Sequence, residues 1–351
     1  MLLAVAVLVA ALFAGCAATG PAATTAPPVP LTLLERTAAS VPALRYDEKA
    51  GVDWWSDFAQ TYTLRNSFAP NNAAARDHIA AGLAAAGLHV RILQYPAGAQ
   101  GKSLPATAGP LFVNVVEATK PGRDNRTLAL GAHYDNASPV VSAAPGTLQA
   151  AYDNGAGTAT LYNLCTALAK VPTQHTIACL FFDGEELGAV GSLAYVADAS
   201  HPVPDYYLGF DMTGLNWPGI DTAQPGKEKW KLYAWTGAEF ADALFPHLNG
   251  TLHQVLGYPL AGAEAFPFND RNSDEASFAA AHVPTVRFAG GRTAGLYPQY
   301  HMPGDTVDFV YQFAGGRDRF ELGMATAVKA AWQVALELDQ ASLDDLRAAY
   351  R

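Results

Sequence analysis

Past about residue 31 the chain falls into apolar blocks of two kinds, and their lengths and flanks predict the elements. Residues 73–86 are rich in alanine and stop at Gly87, the composition and end signal of a helix, and residues 88–95 follow as an extended piece. Residues 111–118 read as a strand. Residues 127–132 form an unbroken apolar run, the mark of a strand buried on both faces, and deliver His133 at its end. A helix is expected over 155–169 and a second buried strand over 176–182, ending in Asp183-Gly184-Glu185-Glu186. Residues 206–210 lead into Asp211, residues 283–288 give a later strand, and a long helix covers 320–338. Helical and extended segments alternate without a second linker or an internal repeat. The expected architecture is one α/β domain with a mixed, mostly parallel central sheet and helices on both faces. Its polar residues gather just past the carboxyl ends of buried strands, the edge where open α/β sheets bind ligands.

Composition narrows the function classes. Half of the 351 residues are hydrophobic and 15% are charged, which excludes general disorder. The net charge is −10 and no basic run occurs, so nucleic acid is not an expected partner. Such a balance suits a cationic ligand or metal ions held by carboxylates, and it also suits a merely solvated acidic surface. Residues 2–14 are an apolar run shorter than the about 20 residues that span a bilayer. With Ala14-Gly15-Cys16 at its end it reads as a signal peptide, residues 1–15. Leu12-Phe13-Ala14-Gly15-Cys16 resembles a bacterial lipoprotein box with Cys16 as the lipidated residue, although no Lys or Arg precedes the run and Phe13 replaces a small aliphatic. An ordinary cleaved signal is the alternative. Residues 16–30, rich in Ala, Thr and Pro, read as a tether, and residues 31–351 as the catalytic domain. The expectation is an exported protein, periplasmic or anchored to a membrane only through a lipid on Cys16, and otherwise secreted. Cys165 and Cys179 either pair or remain buried thiols.

Five segments carry candidate chemistry: Gly131-Ala132-His133-Tyr134-Asp135, Tyr152-Asp153-Asn154-Gly155, Asp183-Gly184-Glu185-Glu186, Phe210-Asp211-Met212 and Tyr300-His301-Met302-Pro303-Gly304-Asp305-Thr306. Singly, each has a structural explanation. A histidine after a strand often only satisfies backbone, adjacent acids form solvated turns, and Asp-Asn-Gly is a turn sequence. Together they supply two imidazoles and several carboxylates from strand ends, the ligand types that suit paired zinc ions.

In this combination the chain resembles the co-catalytic zinc aminopeptidases, secreted bacterial leucyl-type enzymes related to glutamate carboxypeptidase and glutaminyl cyclase. The resemblance runs from about Thr127 to Thr306, with the five segments in the family's order. It implies a zinc-exopeptidase fold, and hydrolysis of the first bond of peptides with a free N-terminus by a water shared between two zinc ions. His133 and Asp211 would hold one zinc, Glu186 and His301 the other, and Asp153 would bridge them. Glu185 would be the general base, Asp135 would fix the tautomer of His133, and Tyr300 would donate to the developing oxyanion. A cis peptide bond after the bridging residue, Asp153–Asn154, is also implied. The chain departs from the family at Ser273-Asp274-Glu275, where the third residue is usually His; this touches the substrate pocket and not the metal set. His78, His89, His175, His201, His247, His253 and His282 fit no motif and read as surface or helix positions, and the Trp and Tyr residues as core and pocket wall. Two rivals stand beside the aminopeptidase. One is a single-zinc glutaminyl cyclase on the same fold, against which the compact run Glu186-Leu187-Gly188-Ala189-Val190-Gly191-Ser192 argues. The other is a non-catalytic binding ectodomain, against which the complete set of ligand positions argues.

Overall fold

The computed structural model describes residues 40–100, 110–137, 148–215, 232–256, 265–266, 273–290 and 297–350. The expected signal peptide, tether and Cys16 lie outside the described residues.

Eight strands form a single sheet in the order β1-β2-β4-β3-β5-β8-β6-β7. They are β1 His89–Pro96, β2 Phe112–Lys120, β3 Thr127–His133, β4 Thr176–Phe182, β5 Tyr206–Asp211, β6 Leu232–Gly237, β7 Ala265–Phe266 and β8 Thr285–Gly290. The middle four, β4, β3, β5 and β8, are parallel. The antiparallel pairings are β1 with β2, β2 with β4, and β6 with β8. All seven residues of β3 are buried, as its apolar run predicts, whereas β1 lies at the edge and is largely exposed.

Register sorts the strand side chains into two layers. Leu128, Leu130, Ile177, Cys179, Phe181, Leu208, Phe210, Val286 and Phe288 point into the larger core. There they meet helices α1 Glu48–Thr61, α2 Pro70–Ala85, α3 Gly157–Leu168, α5 Ala241–Leu256 and α8 Arg317–Leu338. Their neighbours Ala129, Ala178, Leu180, Phe182 and Tyr207 face the opposite side. Tyr195 of α4 (Val190–Ala197) and Phe278 of α6 (Glu275–Ala280) cover them. Each fully buried large apolar side chain contributes about 1.5–3 kcal/mol, so the alternation fixes which edge residues face which way. Two shorter helices, α7 Val307–Ala314 and α9 Leu343–Ala349, complete the chain, started by Thr306 and Ser342 as side-chain caps.

Several boundaries differ from the sequence reading for local reasons. Helix α2 starts at Pro70, whose missing N–H costs nothing at a first helical position, and ends just before Gly87 at φ +96°. Helix α3 starts two residues later than expected, after a wider helical turn over Ala151–Ala156 in which Asp153 and Asn154 have non-helical backbone. Cys165 of α3 and Cys179 of β4 form a disulfide, which settles the alternative left open by sequence. One histidine corrects the expectation of surface or helix positions. His175 is neither exposed nor helical; it is fully buried, with Nδ1 3.1 Å from Asp339. His247 does lie on α5 but is fully buried, 3.0 Å from Glu337.

Candidate metal centre

Strands β3, β4 and β5 end side by side, with His133 in register with Phe182, and their exits bring the acidic segments together. His133 closes β3, Glu185 and Glu186 follow β4, and Asp211 closes β5. The turn entering α3 adds Asp153, and the loop before α7 adds His301. His133 Nε2 lies 3.7 Å from Asp153 Oδ1, 3.7 Å from Asp211 Oδ1 and 4.0 Å from Glu185 Oε2. His301 Nε2 lies 3.2 Å from the other Asp153 oxygen, Oδ2, and 3.2 Å from Glu186 Oε2. Three overlapping groups of donor atoms result: His133 with Asp153 and Asp211; Asp153 with Glu186 and His301; and His133 with Glu185 and Glu186. The five expected ligands and Glu185 therefore share one site.

The backbone around these residues is constrained. His301, Ala150 and Met212 are non-glycine residues in the left-handed region, at φ 56°, 45° and 50°. Such conformations cost about 1–3 kcal/mol each and persist where surrounding structure imposes them. The Asp153–Asn154 peptide bond is cis. The Asn154 side chain is fully buried and ties three elements together. Its amide donates to Phe210 O at 3.0 Å and His133 O at 3.3 Å, and its oxygen accepts from Gly157 N at 2.9 Å and Met212 N at 3.0 Å. A Cβ at Gly157 would come within 2.2 Å of that oxygen, so only glycine admits the contact.

Asp135 is fully buried, with Oδ1 3.4 Å from His133 Nδ1. Its carboxylate also accepts the backbone N–H of Glu185 at 3.2 Å and of Glu186 at 3.3 Å. It thus orients the histidine and the acidic pair at once. Asp305, quoted in the fifth motif without a role, accepts from Asp153 N at 2.9 Å, Tyr152 N at 2.9 Å and the Tyr297 hydroxyl at 2.8 Å. Behind Asp135, buried Asp183 accepts from Ser67 Oγ at 2.7 Å and Asn72 Nδ2 at 2.9 Å. Asn154 and Asp183 were likewise quoted without a side-chain role, and sequence reading missed Arg65, Ser67 and Asn72, whose partners at the site are far along the chain. Tyr300 is partly exposed and its ring stacks on His301 with centroids 3.8 Å apart. Burial and the nearby carboxylates raise its phenol well above the usual value, so it keeps its proton as a donor. Glu275, at the position where the family usually has His, is buried and pairs with Arg287 at 3.2 Å. Burial pushes Asp211 up, but contact with His133, and after it the charge of Arg287, hold it below the usual carboxylate range.

The electrostatics call for a cation. Burial, with Asp153 adding, pushes Glu186 up to about 7. Burial also lifts Glu185 well above the carboxylate range, His133 opposing and Asp274, Glu186 and Asp211 adding. Contacts with Asp153 and Glu186 push His301 up to about 10. Protons thus gather where positive charge is scarce. Asp153 Oδ2, Glu186 Oε1 and Asp211 Oδ1 are buried oxygens that receive no hydrogen bond among the described residues. Imidazole and carboxylate donors converging on oxygens without hydrogen-bond donors fit zinc.

Comparison with known proteins adds to this geometry. The profile described as peptidase family M28 matches residues 114–312. Aminopeptidase YwaD of Bacillus subtilis is 27% identical over 190 residues, covering 51% of this chain but only 36% of that protein. The chain therefore spans about a third of that curated relative. Among solved structures, the Legionella pneumophila LapA aminopeptidase superposes with TM-score 0.63 at 17% identity, covering 88% of this chain and 76% of that one. Porphyromonas gingivalis glutaminyl cyclase superposes with TM-score 0.59 at 16% identity, covering 82% and 98%. The fold is therefore common to both activities.

Proposed function

The chain belongs to peptidase family M28, and from that membership we propose that it is a zinc-dependent aminopeptidase that removes residues from the free amino end of peptides. The observation that carries this reading is the placement of Asp153. Its two carboxylate oxygens face different imidazoles, Oδ1 toward His133 at 3.7 Å and Oδ2 toward His301 at 3.2 Å. Each imidazole has its own further carboxylate, Asp211 for His133 and Glu186 for His301. This arrangement supports a pair of zinc ions, of which His133, Asp153 and Asp211 would hold one and Asp153, Glu186 and His301 the other.

When bound, zinc supplies Lewis-acid polarisation of the scissile carbonyl and acidifies water near neutral pH. The chain's own groups do the rest. Glu185 stands 4.0 Å from His133 and, kept ionised beside the bound cations, accepts the proton of the attacking water and returns it to the leaving amine. Asp135 fixes the His133 ring and, through two backbone N–H groups, the acidic pair. Tyr300 retains its hydroxyl proton and donates to the oxyanion. The surrounding carboxylates attract the substrate's ammonium and set only the first peptide bond over the reacting groups. For the cell we propose export, with anchoring through Cys16 or release after cleavage of residues 1–15.

The test pairs leucyl anilide with its N-acetylated form, with and without chelator, beside zinc content by mass spectrometry. Cleavage of the free-amine substrate alone, lost on chelation, with zinc near two per chain, is expected. Equal rates on both substrates would refute the aminopeptidase reading. Zinc near one, with N-terminal glutaminyl peptides cyclised and no anilide hydrolysed, would establish the cyclase instead.

A further inference from the structure

Beneath the site lies a cation that no motif contains. Arg65 is 0% exposed, its guanidinium carbon 5.1 Å from the Phe58 ring centroid, and it makes no ion pair among the described residues. Its three nitrogens each take a backbone carbonyl instead. Nε donates to Tyr134 O at 2.6 Å, Nη2 to Ala150 O at 2.8 Å, and Nη1 to Gln149 O. Tyr134 lies between His133 and Asp135 at the exit of β3. Gln149 and Ala150 begin the segment that reaches Asp153. The same segment is held on both sides of these contacts, because Leu64 N donates to Leu148 O at 2.9 Å and Trp55 Nε1 to Ala151 O at 2.7 Å. Four successive carbonyls, 148 to 151, are thus capped by residues 55–65.

We propose that Arg65 is a positioning residue of the metal centre, its planar fork fixing the distance between the loop that carries His133 and the segment that carries Asp153. Arginine suits the task because three nitrogens in a rigid plane reach three carbonyls in different directions, whereas a lysine ammonium is a single point on a flexible stem. Burial lowers its pKa to about 10, while Asp305, Asp135, Asp153 and Glu186 pull it back up, so it stays charged at neutral pH. That charge sits under the carboxylates and offsets their repulsion before a metal arrives. The residue lies in the N-terminal part of this chain, outside the stretch 114–312 that matches the family profile.

The inference rests on the zinc reading of the preceding section, and its test separates the two. The chain is stripped with chelator, checked for folding by circular dichroism, and titrated with zinc against a competing fluorescent chelator. Arg65→Met and Arg65→Lys are expected to bind zinc about 10–100-fold more weakly, the usual cost of losing a partner that orients ligands. Should Arg65→Met fail to fold, Arg65→Lys decides, because it keeps the charge and loses the fork. Glu337→Gln is the control for plain destabilisation. It breaks a buried network with Thr251, Gln333 and His247 remote from the site, and should lower Tm without moving zinc affinity. Zinc affinity of Arg65→Lys within twofold of wild type, or an equal loss in Glu337→Gln, would overturn the proposal. A wild-type chain that takes up no zinc would overturn both this inference and the metal reading.

Discussion

Replacing Asp305 with asparagine separates the stability of the fold from the competence of the site. The carboxylate receives four contacts: Oδ1 from Tyr152 N at 2.9 Å and the Tyr297 hydroxyl at 2.8 Å, Oδ2 from Asp153 N at 2.9 Å and Tyr152 N at 3.2 Å. Asparagine keeps one oxygen, so the Oδ1 contacts survive. An amide N–H₂ then opposes the N–H of Asp153, donor against donor. Losing a hydrogen bond to a charged acceptor costs about 1.5–3 kcal/mol. Against that stands the burial of the charge itself, which raises this carboxyl from 3.8 to about 7. At about 1.4 kcal/mol per unit, the neutral side chain relieves up to roughly 4 kcal/mol in the metal-free protein above pH 7. The two effects are of similar size and opposite sign, so metal-free stability should change by no more than about 3 kcal/mol in either direction. The site has no such offset, because the backbone carrying the bridging carboxylate has lost its anchor. Zinc affinity should fall about 10–100-fold, with kcat/KM following at limiting zinc. Thermal melts with chelator, zinc titrations and leucyl-anilide assays of Asp305→Asn measure the three quantities. A steep loss of metal-free stability with zinc affinity unchanged would show that Asp305 only supports the fold.

Two further predictions concern protons. Glu185→Gln keeps size and removes proton acceptance, so kcat should drop about 10²-fold or more with zinc content retained; loss of zinc would instead make Glu185 a ligand. In the metal-free protein, burial pushes Asp183, Glu186, Asp274 and Asp305 each up to about 7. Between about pH 4 and 7 the folded chain therefore binds more protons than the unfolded one, and its stability falls as pH rises through that window. Zinc replaces those protons and should flatten or reverse the trend. Melts from pH 5 to 8, with chelator and with zinc, test this, and a metal-free Tm that climbs with pH would refute it.

What could be seen in the sequence was what is local. The apolar run ending at His133 shows strand, burial and donor within seven residues, and Glu185-Glu186 sits directly after another such run. Reading those segments together was enough to expect one site at the strand ends. The parallel centre also follows from buried strands separated by helices, whereas β6 and the antiparallel margins depend on pairings across the sheet that periodicity does not encode. The supporting side chains are illegible for the same reason. Asp305 reaches Asp153 across 152 residues and Arg65 reaches Ala150 across 85, so neither forms a motif with its partner. His175 was misread because a buried histidine needs a carboxylate that sequence does not reveal, here Asp339; the helix expected as one option for His247 is found, but its burial against Glu337 was equally hidden.

This division has a physical cause. Metal donors must converge within a few ångströms, and the cheapest way to bring them together is to place each at the end of an adjacent strand, which ties them to short recognisable strings. Holding them there is a separate problem, because the carboxylates repel one another and the turns that carry them adopt left-handed backbone at Ala150, Met212 and His301. Strain of about 1–3 kcal/mol per residue persists only if rigid neighbours impose it. The neighbours here are buried polar groups on the backbone: Asn154 between β3, β5 and α3, Asp305 on the amides of Tyr152 and Asp153, Arg65 on the carbonyls of Tyr134, Gln149 and Ala150. Such groups act through main-chain atoms that every residue possesses, so their partners carry no side-chain signature. The reacting groups are therefore written in motifs, whereas the holding contacts made on main-chain atoms appear only when the chain is folded.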